Sequence, residues 1–381
     1  MQDAILVLNS GSSSLKFGVY RRGPRDEELV LEGSADGIAR DSGSLRIKSA
    51  DGKTILEEDH VLESQPAALQ KIARALAQQN DASPVAVGHR IVHGGPKLRE
   101  HQLITPEVLR ELKAAVHFAP LHIPPALELV KEAQKIFPDC PHFACFDNAF
   151  HRTMPEVARH LPLPTKYYNE GVIHYGFHGL SCESLVHELG DELPRRAVFA
   201  HLGNGSSLTA LVDGKSIDTS MGLTPTGGVP MGTRSGDLDP GVLLYILRTE
   251  KLSADKLEQL LNHDCGLAGF SNGESDMQAL LKRKDAAAKL AIAAFTTAVR
   301  KYIGAYAALM GGIDLLVFTG GIGENSEEIR RLSSDGLDFL VGEVRVVKTQ
   351  EDRQIARHAR ALLANSKAMA KKKADPSLRS G

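Results

Sequence analysis

The chain has 381 residues, 42% of them hydrophobic and 24% charged, with 35 glycines, no tryptophan and a formal net charge of −2. That length exceeds what one hydrophobic core ordinarily serves and predicts two domains, while the near-neutral balance gives no field for nucleic acid or a membrane surface. The four cysteines form no CxxC pair, no window reaches the ~20 apolar residues of a membrane span, and the first residues lack a basic, then apolar leader, so the cytoplasm is the expected compartment.

The first informative stretch, ILVLNSGSSSLKFGVY at residues 5–20, reads as strand, small polar turn and second strand. It has the look of a phosphate loop but not the GxxxxGK[ST] spacing. Lys16 is either a phosphate-neutralising cation or an exposed strand lysine. Residues 66–79 form an amphipathic helix opening on a proline, as do 106–116 and 125–136. Residues 85–92 form a short buried strand that ends in a segment with Arg90 beside a glycine pair. Residues 140–146 form another strand, followed at once by Asp147 within FDNAFH. Tyr175-Gly176-Phe177-His178-Gly179 holds His178 between glycines.

Residues 198–213, VFAHLGNGSSLTALVD, repeat the grammar of the first stretch when Ser13-Ser14-Leu15 is aligned with Ser206-Ser207-Leu208, which sets Lys16 against Thr209. A separation of half the chain indicates a duplicated domain rather than a solenoid. Arg234 follows in the flexible loop Met231–Asp237. Residues 286–310 form a long Ala-rich helix, 314–319 a buried strand, and 320–326 a Gly-rich turn leading into a helix at Glu327, a combination suited to an anion. Residues 351–369 form a terminal helix that folds back on the first domain.

The Gly-rich turns at Gly11, Gly203–Gly205 and Gly320–Gly323 are hairpins and caps if read singly. Together they point to a nucleotide cleft between two similar domains. Loop arginines flanked by glycine suit planar oxyanions, because the guanidinium donates bidentate bonds. The 15 histidines invite a zinc reading, but no HExxH or Cys/His finger spacing is present, and none is expected to hold zinc.

The motifs NSGSSSLKF, GHRIVHGG, APLHIPPA, FDNAFH, YGFHGLS, HLGNGSSL, DTSMGLTP, MGTRSGDLDPG and FTGGIGENS run in this order across nearly the whole chain, and the series resembles the acetokinase family. The resemblance implies an α/β protein of duplicated ribonuclease-H-like, actin-like ATPase domains with an interdomain active-site cleft. The first domain would comprise 1–150 with 352–381, and the nucleotide-binding second domain 151–351.

The resemblance further implies reversible transfer of the ATP γ-phosphoryl group to acetate, giving ADP and acetyl phosphate, with Mg²⁺ or Mn²⁺ as the metal and a homodimer as the assembly. It makes Asn9 and Glu351 metal-associated. Ser12, Ser14 and Lys16 become the first phosphate loop, and His201, Leu202, Gly203, Asn204 and Gly205 the second. Asp276, Gln278 and the run Gly321, Ile322, Gly323, Glu324, Asn325 fall at the nucleotide. Arg90 and Arg234 clamp the carboxylate and phosphoryl group, Asp147 is the essential acid, and His178 stabilises the transition state. Val92, Leu121, Phe177 and Pro225 line the pocket for the substrate methyl group, with His122 close by. The sequence departs from the family where Gln278 stands in place of an expected arginine, and around Glu351, where Thr349-Gln350-Glu351-Asp352-Arg353 alters the usual pattern.

A carboxylic acid substrate is ionised at pH 7, so Asp147 need not be a base; it is expected to orient Arg90 or Arg234, or to hold a metal-bound water. Propionate and butyrate remain alternatives to acetate, because a methylene in an apolar pocket is worth only ~1–3 kcal/mol. A nucleotide-switched binding protein and a metal-dependent hydrolase are the readings from other classes.

Overall fold

The computed structural model describes residues 3–11, 14–79 and 83–374. The chain divides into two compact units, Met1–Ala149 with Gln350–Gly381, and Phe150–Thr349. Glu351 therefore belongs with the first unit, not with the second as the expected boundary had it.

Within the described residues, the first unit is built on an eight-stranded sheet ordered β5-β4-β3-β2-β1-β6-β8-β7. The strands are β1 Ala4–Ser10, β2 Ser14–Arg22, β3 Glu27–Asp36, β4 Ser44–Ser49, β5 Thr54–Asp59, β6 Pro84–Ile91, β7 Gln102–Leu103 and β8 His142–Phe146. Neighbours from β1 to β5 are antiparallel, whereas β1, β6 and β8 run parallel. Strand alternation sends Leu6, Leu8 and Val87 to one face, where they pack with helices Gln65–Ala77 and Ile123–Ile136. The first of these helices starts where Ser64 Oγ accepts from Ala67 N, with proline in its first turn.

The C-terminal helix Glu351–Ala374 lies on the other face. Gly88 leaves room for it, since a Cβ there would stand 2.7 Å from Ile355 Cγ2. Arg357 holds Asp26 through two bonds (2.8 and 2.5 Å), and Arg360 pairs with Glu27 and Asp3. These contacts account for the helix returning to the first unit.

The second unit carries a five-stranded sheet ordered β11-β10-β9-β12-β13: β9 Arg196–Leu202, β10 Ser206–Val212, β11 Lys215–Thr219, β12 Ile313–Thr319 and β13 Val341–Val346. Helix Ala286–Met310 covers one face with Ala288, Phe295, Val299 and Ile303, and helix Gly179–Leu189 covers the other with Cys182 and Leu185. Strand order and direction repeat β3-β2-β1-β6-β8, so the duplication is one of topology as well as sequence. The register corrects the residue alignment. The hairpins close on Ser10↔Leu15 and Leu202↔Ser206, so counting from the turn Lys16 corresponds to Ser207 rather than to Thr209.

Residues 320–326 are not an open turn. Gly320–Asn325 is itself a short helix, followed by helix Glu327–Ser334, which Ser326 caps.

A buried histidine pair makes the first unit acid-sensitive. His89 Nε2 lies 2.9 Å from His142 Nδ1. Burial, followed by the neighbouring His142, holds His89 well below the usual histidine range, and burial also lowers His142. Both therefore bind protons less readily in the folded chain than in the unfolded one, which takes them up from about pH 6.5. Their contribution to stability is present above that pH and is lost as the pH falls below it toward the lowered folded values. Urea unfolding at pH 7.0 and 5.5 should show this loss, and His89→Leu should reduce it; equal losses in the two proteins would contradict the assignment.

Candidate active site

In both units the functional side chains gather at the carboxyl ends of the parallel strands, where helix starts and free amides favour ligands. In the first unit these ends carry Asn9 and Ser10 as the last residues of β1, Arg90 near the end of β6, and Asp147 just after β8. Arg90 Nη2 donates to Asp147 Oδ2 at 2.5 Å, and Nη1 donates to Asn9 Oδ1 at 3.2 Å. Asn9 Nδ2 donates to Asp352 Oδ1 at 2.7 Å. Of the two arginines that Asp147 was expected to orient, it bonds Arg90.

Burial disfavours the Arg90 charge, but Asp147 and then Glu351 outweigh it and raise Arg90 above its ordinary value, so the cation persists. Burial pushes the Asp352 carboxyl up, against the bond from Asn9. Asp147 Oδ1 and Arg90 Nε are buried without a partner among the described residues. Such orphans are what a site awaiting a ligand leaves behind.

A small pocket adjoins this cluster. Arg90, Val92, Leu121 and His122 line it together with Ser10, Gly11, Pro125 and Ala126. The lining thus combines one cation with apolar side chains, the groups a short carboxylate calls for. Phe177 and Pro225, expected beside these residues, belong to the second unit.

The β1–β2 turn is clasped from outside. Ser10 Oγ donates to Gln65 Oε1 at 2.8 Å, and Gln65 Nε2 donates to Gly11 O at 2.7 Å. Ser12 lies outside the described residues. Ser14 opens β2, and Lys16 is exposed opposite Asn9. Gln65 and Asp352 were missed by the sequence reading, because their contacts join residues 55 and 343 positions apart.

The oxygen donors here suit a hard cation such as Mg²⁺. Asp147, with its orphaned oxygen, and Asp352 fit that role together with the expected Glu351. The Asn9 amide oxygen is already engaged by Arg90.

In the second unit, His178 sits at φ 58° immediately before helix Gly179–Leu189. Its Nδ1 is 2.9 Å from Ser207 Oγ, and its ring stacks on His201 with centroids 4.3 Å apart. His201 Nδ1 is in turn 2.9 Å from Ser181 Oγ, which also accepts from Thr349 Oγ1. Gly205 measures how closely the groups converge: a Cβ there would stand 3.3 Å from His178 Nε2 and 3.4 Å from Arg234 Nη1.

Arg234 Nη1 donates to Pro225 O at 3.1 Å. Its loop rests on helix Gly266–Ser271, and Gly266, at φ +61°, cannot be replaced without cost because a Cβ would meet Met231 O at 2.1 Å. Asn204 O accepts from Gly232 N at 3.2 Å, tying that loop to the β9–β10 turn.

The remaining expected nucleotide residues divide by what they touch. The N-terminus of helix Gly320–Asn325 faces the β9–β10 turn, since Gly321 N is 3.7 Å from the Cβ position of Gly203. Gly323 is buried within that helix, and Ile322 packs against the core. Glu324 is held internally: its Oε1 accepts from Gly320 N, Thr319 Oγ1 and Thr349 N. Asn325 Nδ2 donates to Gly321 O. Asp276 caps helix Met277–Lys282 by accepting from Ala279 N at 2.7 Å, and Gln278 is exposed on that helix.

The repeated sheet order makes this a duplicated α/β chain, and each unit carries glycine-rich turns and charged side chains of the kinds that suit phosphoryl groups. The acetokinase family model matches residues 4–371. An acetate kinase of Nitrobacter hamburgensis is 41% identical over 368 residues, covering 94% of this chain and 89% of that one. An acetate kinase of Thermoanaerobacterium thermosaccharolyticum is 41% identical over 353 residues, covering 88% and 87%. Among solved structures, a propionate kinase from Francisella tularensis superposes with a TM-score of 0.87 at 34% identity over 94% of this chain and 100% of that one. An acetate kinase from Porphyromonas gingivalis gives 0.82 at 33%, covering 95% and 100%. The chain belongs to the acetokinase family. It is a kinase, as the sequence resemblance implied.

Proposed function

We propose that the chain transfers the γ-phosphoryl group of ATP to acetate, reversibly, giving acetyl phosphate and ADP. The observation that carries the reading is the pocket lined by Arg90, which Asp147 holds from outside it, together with Val92 and Leu121, a cation among apolar side chains. In this reading the carboxylate lies against Arg90, and the methyl group lies against Val92 and Leu121. Phe177, Pro225 and His122 complete the contacts to the acid. Phosphoryl transfer needs alignment and charge stabilisation more than covalent help, and no enzyme nucleophile is required.

Arg234 and His178 supply donors to the transferring group, and the turns at Ser10–Leu15 and Leu202–Ser206 supply amides to the phosphates, with Ser12, Ser14, Lys16 and Asn204 adding side chains. The run Gly321–Asn325 and the Asp276–Gln278 segment take the nucleoside. Glu351, Asp352 and Asp147 would hold Mg²⁺, with Asn9 bonded to Asp352 beside them, and the ion when bound neutralises phosphate charge. Asp147 orients Arg90, and the acid, already ionised, needs no base.

The small pocket favours acetate, with propionate the second reading because of the structural relative that carries that name. A homodimer is proposed on helix Pro240–Glu250, none of whose residues is buried although Val242, Leu244 and Tyr245 face solvent; sedimentation equilibrium giving one chain per particle would contradict it. The cytoplasm suits an ATP-dependent enzyme with four free cysteines, and no helix among the described residues is long and apolar enough to cross a membrane.

Trapping acyl phosphate with hydroxylamine, with ATP, Mg²⁺ and the straight-chain C2, C3 and C4 acids, tests this function. Hydroxamate should form fastest with acetate. Faster formation with propionate would favour the second reading, and none with any acid would refute both.

A further inference from the structure

We propose that His151, with Ser216 behind it, is a positioning residue that fixes the backbone of His178 for phosphoryl transfer. The proposal rests on the transition-state role given to His178 above. His151 lies in the short turn Phe150–Thr153 and is fully buried. A carbonyl oxygen only accepts, so the 2.9 Å contact between His151 Nε2 and Phe177 O places the ring proton on Nε2. Nδ1 is then an acceptor, and Ser216 Oγ, 2.9 Å away on β11, donates to it. Thr153 Oγ1 donates to Ser216 O at 2.9 Å and locks the turn to the same strand.

The Phe177 carbonyl belongs to the peptide group that joins Phe177 to His178. Holding its oxygen therefore holds the φ angle of His178, which is left-handed at 58°. That conformation is unfavourable for a histidine and persists only when its surroundings impose it. His151 imposes it from a second direction as well. Its ring lies against Gly176 (φ +77°), where a Cβ would stand 2.7 Å from His151 Cγ and Cδ2. If the carbonyl is released, the peptide plane can turn and His178 can relax to negative φ, carrying its ring off Ser207 and His201. The motif FDNAFH then has two functions: Asp147 holds Arg90, and His151 holds the turn that presents His178.

A double-mutant cycle on the full chain, with ATP and acetate as substrates, tests this. A misplacement of about 1 Å can cost roughly 10²-fold in rate, so His151→Ala should lower kcat by about that factor, with KM for ATP within about twofold. In a His178→Ala background the same substitution should lower kcat no further. His151→Gln keeps an amide donor near the Nε2 position and should retain kcat to within roughly tenfold of the parent. His151→Leu, which fills the space but offers no donor to Phe177 O, carries the cycle if the alanine variant does not fold.

Losses that multiply across the two backgrounds would overturn the proposal, as would a KM that rises in step with the fall in kcat. If His178→Ala alone leaves kcat unchanged, the role of His178 is refuted and the proposal falls through its premise. That outcome is distinct from a broken link between the two residues.

Discussion

Arg234→Ala is expected to lower kcat by about 10³-fold or more, the scale at which arginines act on the transition state in other phosphoryl-transfer enzymes. KM for ATP should stay within about threefold, because ground-state binding falls mainly to backbone amides and the other phosphate-loop groups. The side chain is placed for that role. Pro225 O accepts from Nη1 at 3.1 Å, and the same nitrogen lies 3.4 Å from the Cβ position of Gly205, beside His178 Nε2 at 3.3 Å. Arg234→Lys should recover little, since a single ammonium cannot bond the carbonyl and a phosphoryl oxygen in the same fork. Steady-state kinetics decide the matter. A KM for ATP that worsens as much as kcat would make Arg234 a ground-state binding residue instead.

Asp147→Ala should cost about 10²–10⁴-fold in kcat/KM for acetate, the equivalent of the roughly 3–5 kcal/mol lost when one partner of a buried ion pair is removed. The Asp147 carboxylate is only 1% exposed and bonds Arg90 at 2.5 Å, so its removal leaves the guanidinium buried without its nearest counter-ion. The loss should be non-additive with Arg90→Ala, because both substitutions dismantle one contact. Asp147→Asn keeps the shape and one acceptor, so its loss should be smaller and its pH–rate profile should keep the shape of the parent's. Disappearance of the acid limb in Asp147→Asn, with an unchanged magnesium dependence, would instead make Asp147 an acid–base catalyst.

The parts of the fold written in local sequence were legible. The two hairpins, the proline-led helices and the helix Ala286–Met310 follow from turn chemistry, caps and periodicity. Strands β3–β5 were not identified: β3 and β5 are charge-rich with little apolar alternation, and β4, SLRIKS, does alternate but spans only six residues. The Gly-rich run 320–326 was read as a turn, yet Glu324 bonds the first amide of the run and stabilises a helix there.

Within the site, Arg90 and Asp147 showed themselves as polar residues at the ends of apolar runs. Gln65, Asp352, His151 and Ser207 did not, since each acts through a partner that only folding brings near. Asp276 was assigned to the nucleotide, and in the structure its carboxylate caps a helix. Local pattern can flag a polar residue at a strand end, but it cannot say which long-range neighbour will hold it.

In the proposed reaction phosphoryl passes directly between two bound substrates on a scaffold of arginines and amides, with no covalent phosphoenzyme. The stereochemical course at phosphorus tests it most directly, using ATP made chiral at the γ-phosphoryl with oxygen isotopes and acetate as acceptor. A single in-line displacement predicts acetyl phosphate with inverted configuration. Retention would require two displacements and an enzyme-bound phosphoryl group, and would contradict the account.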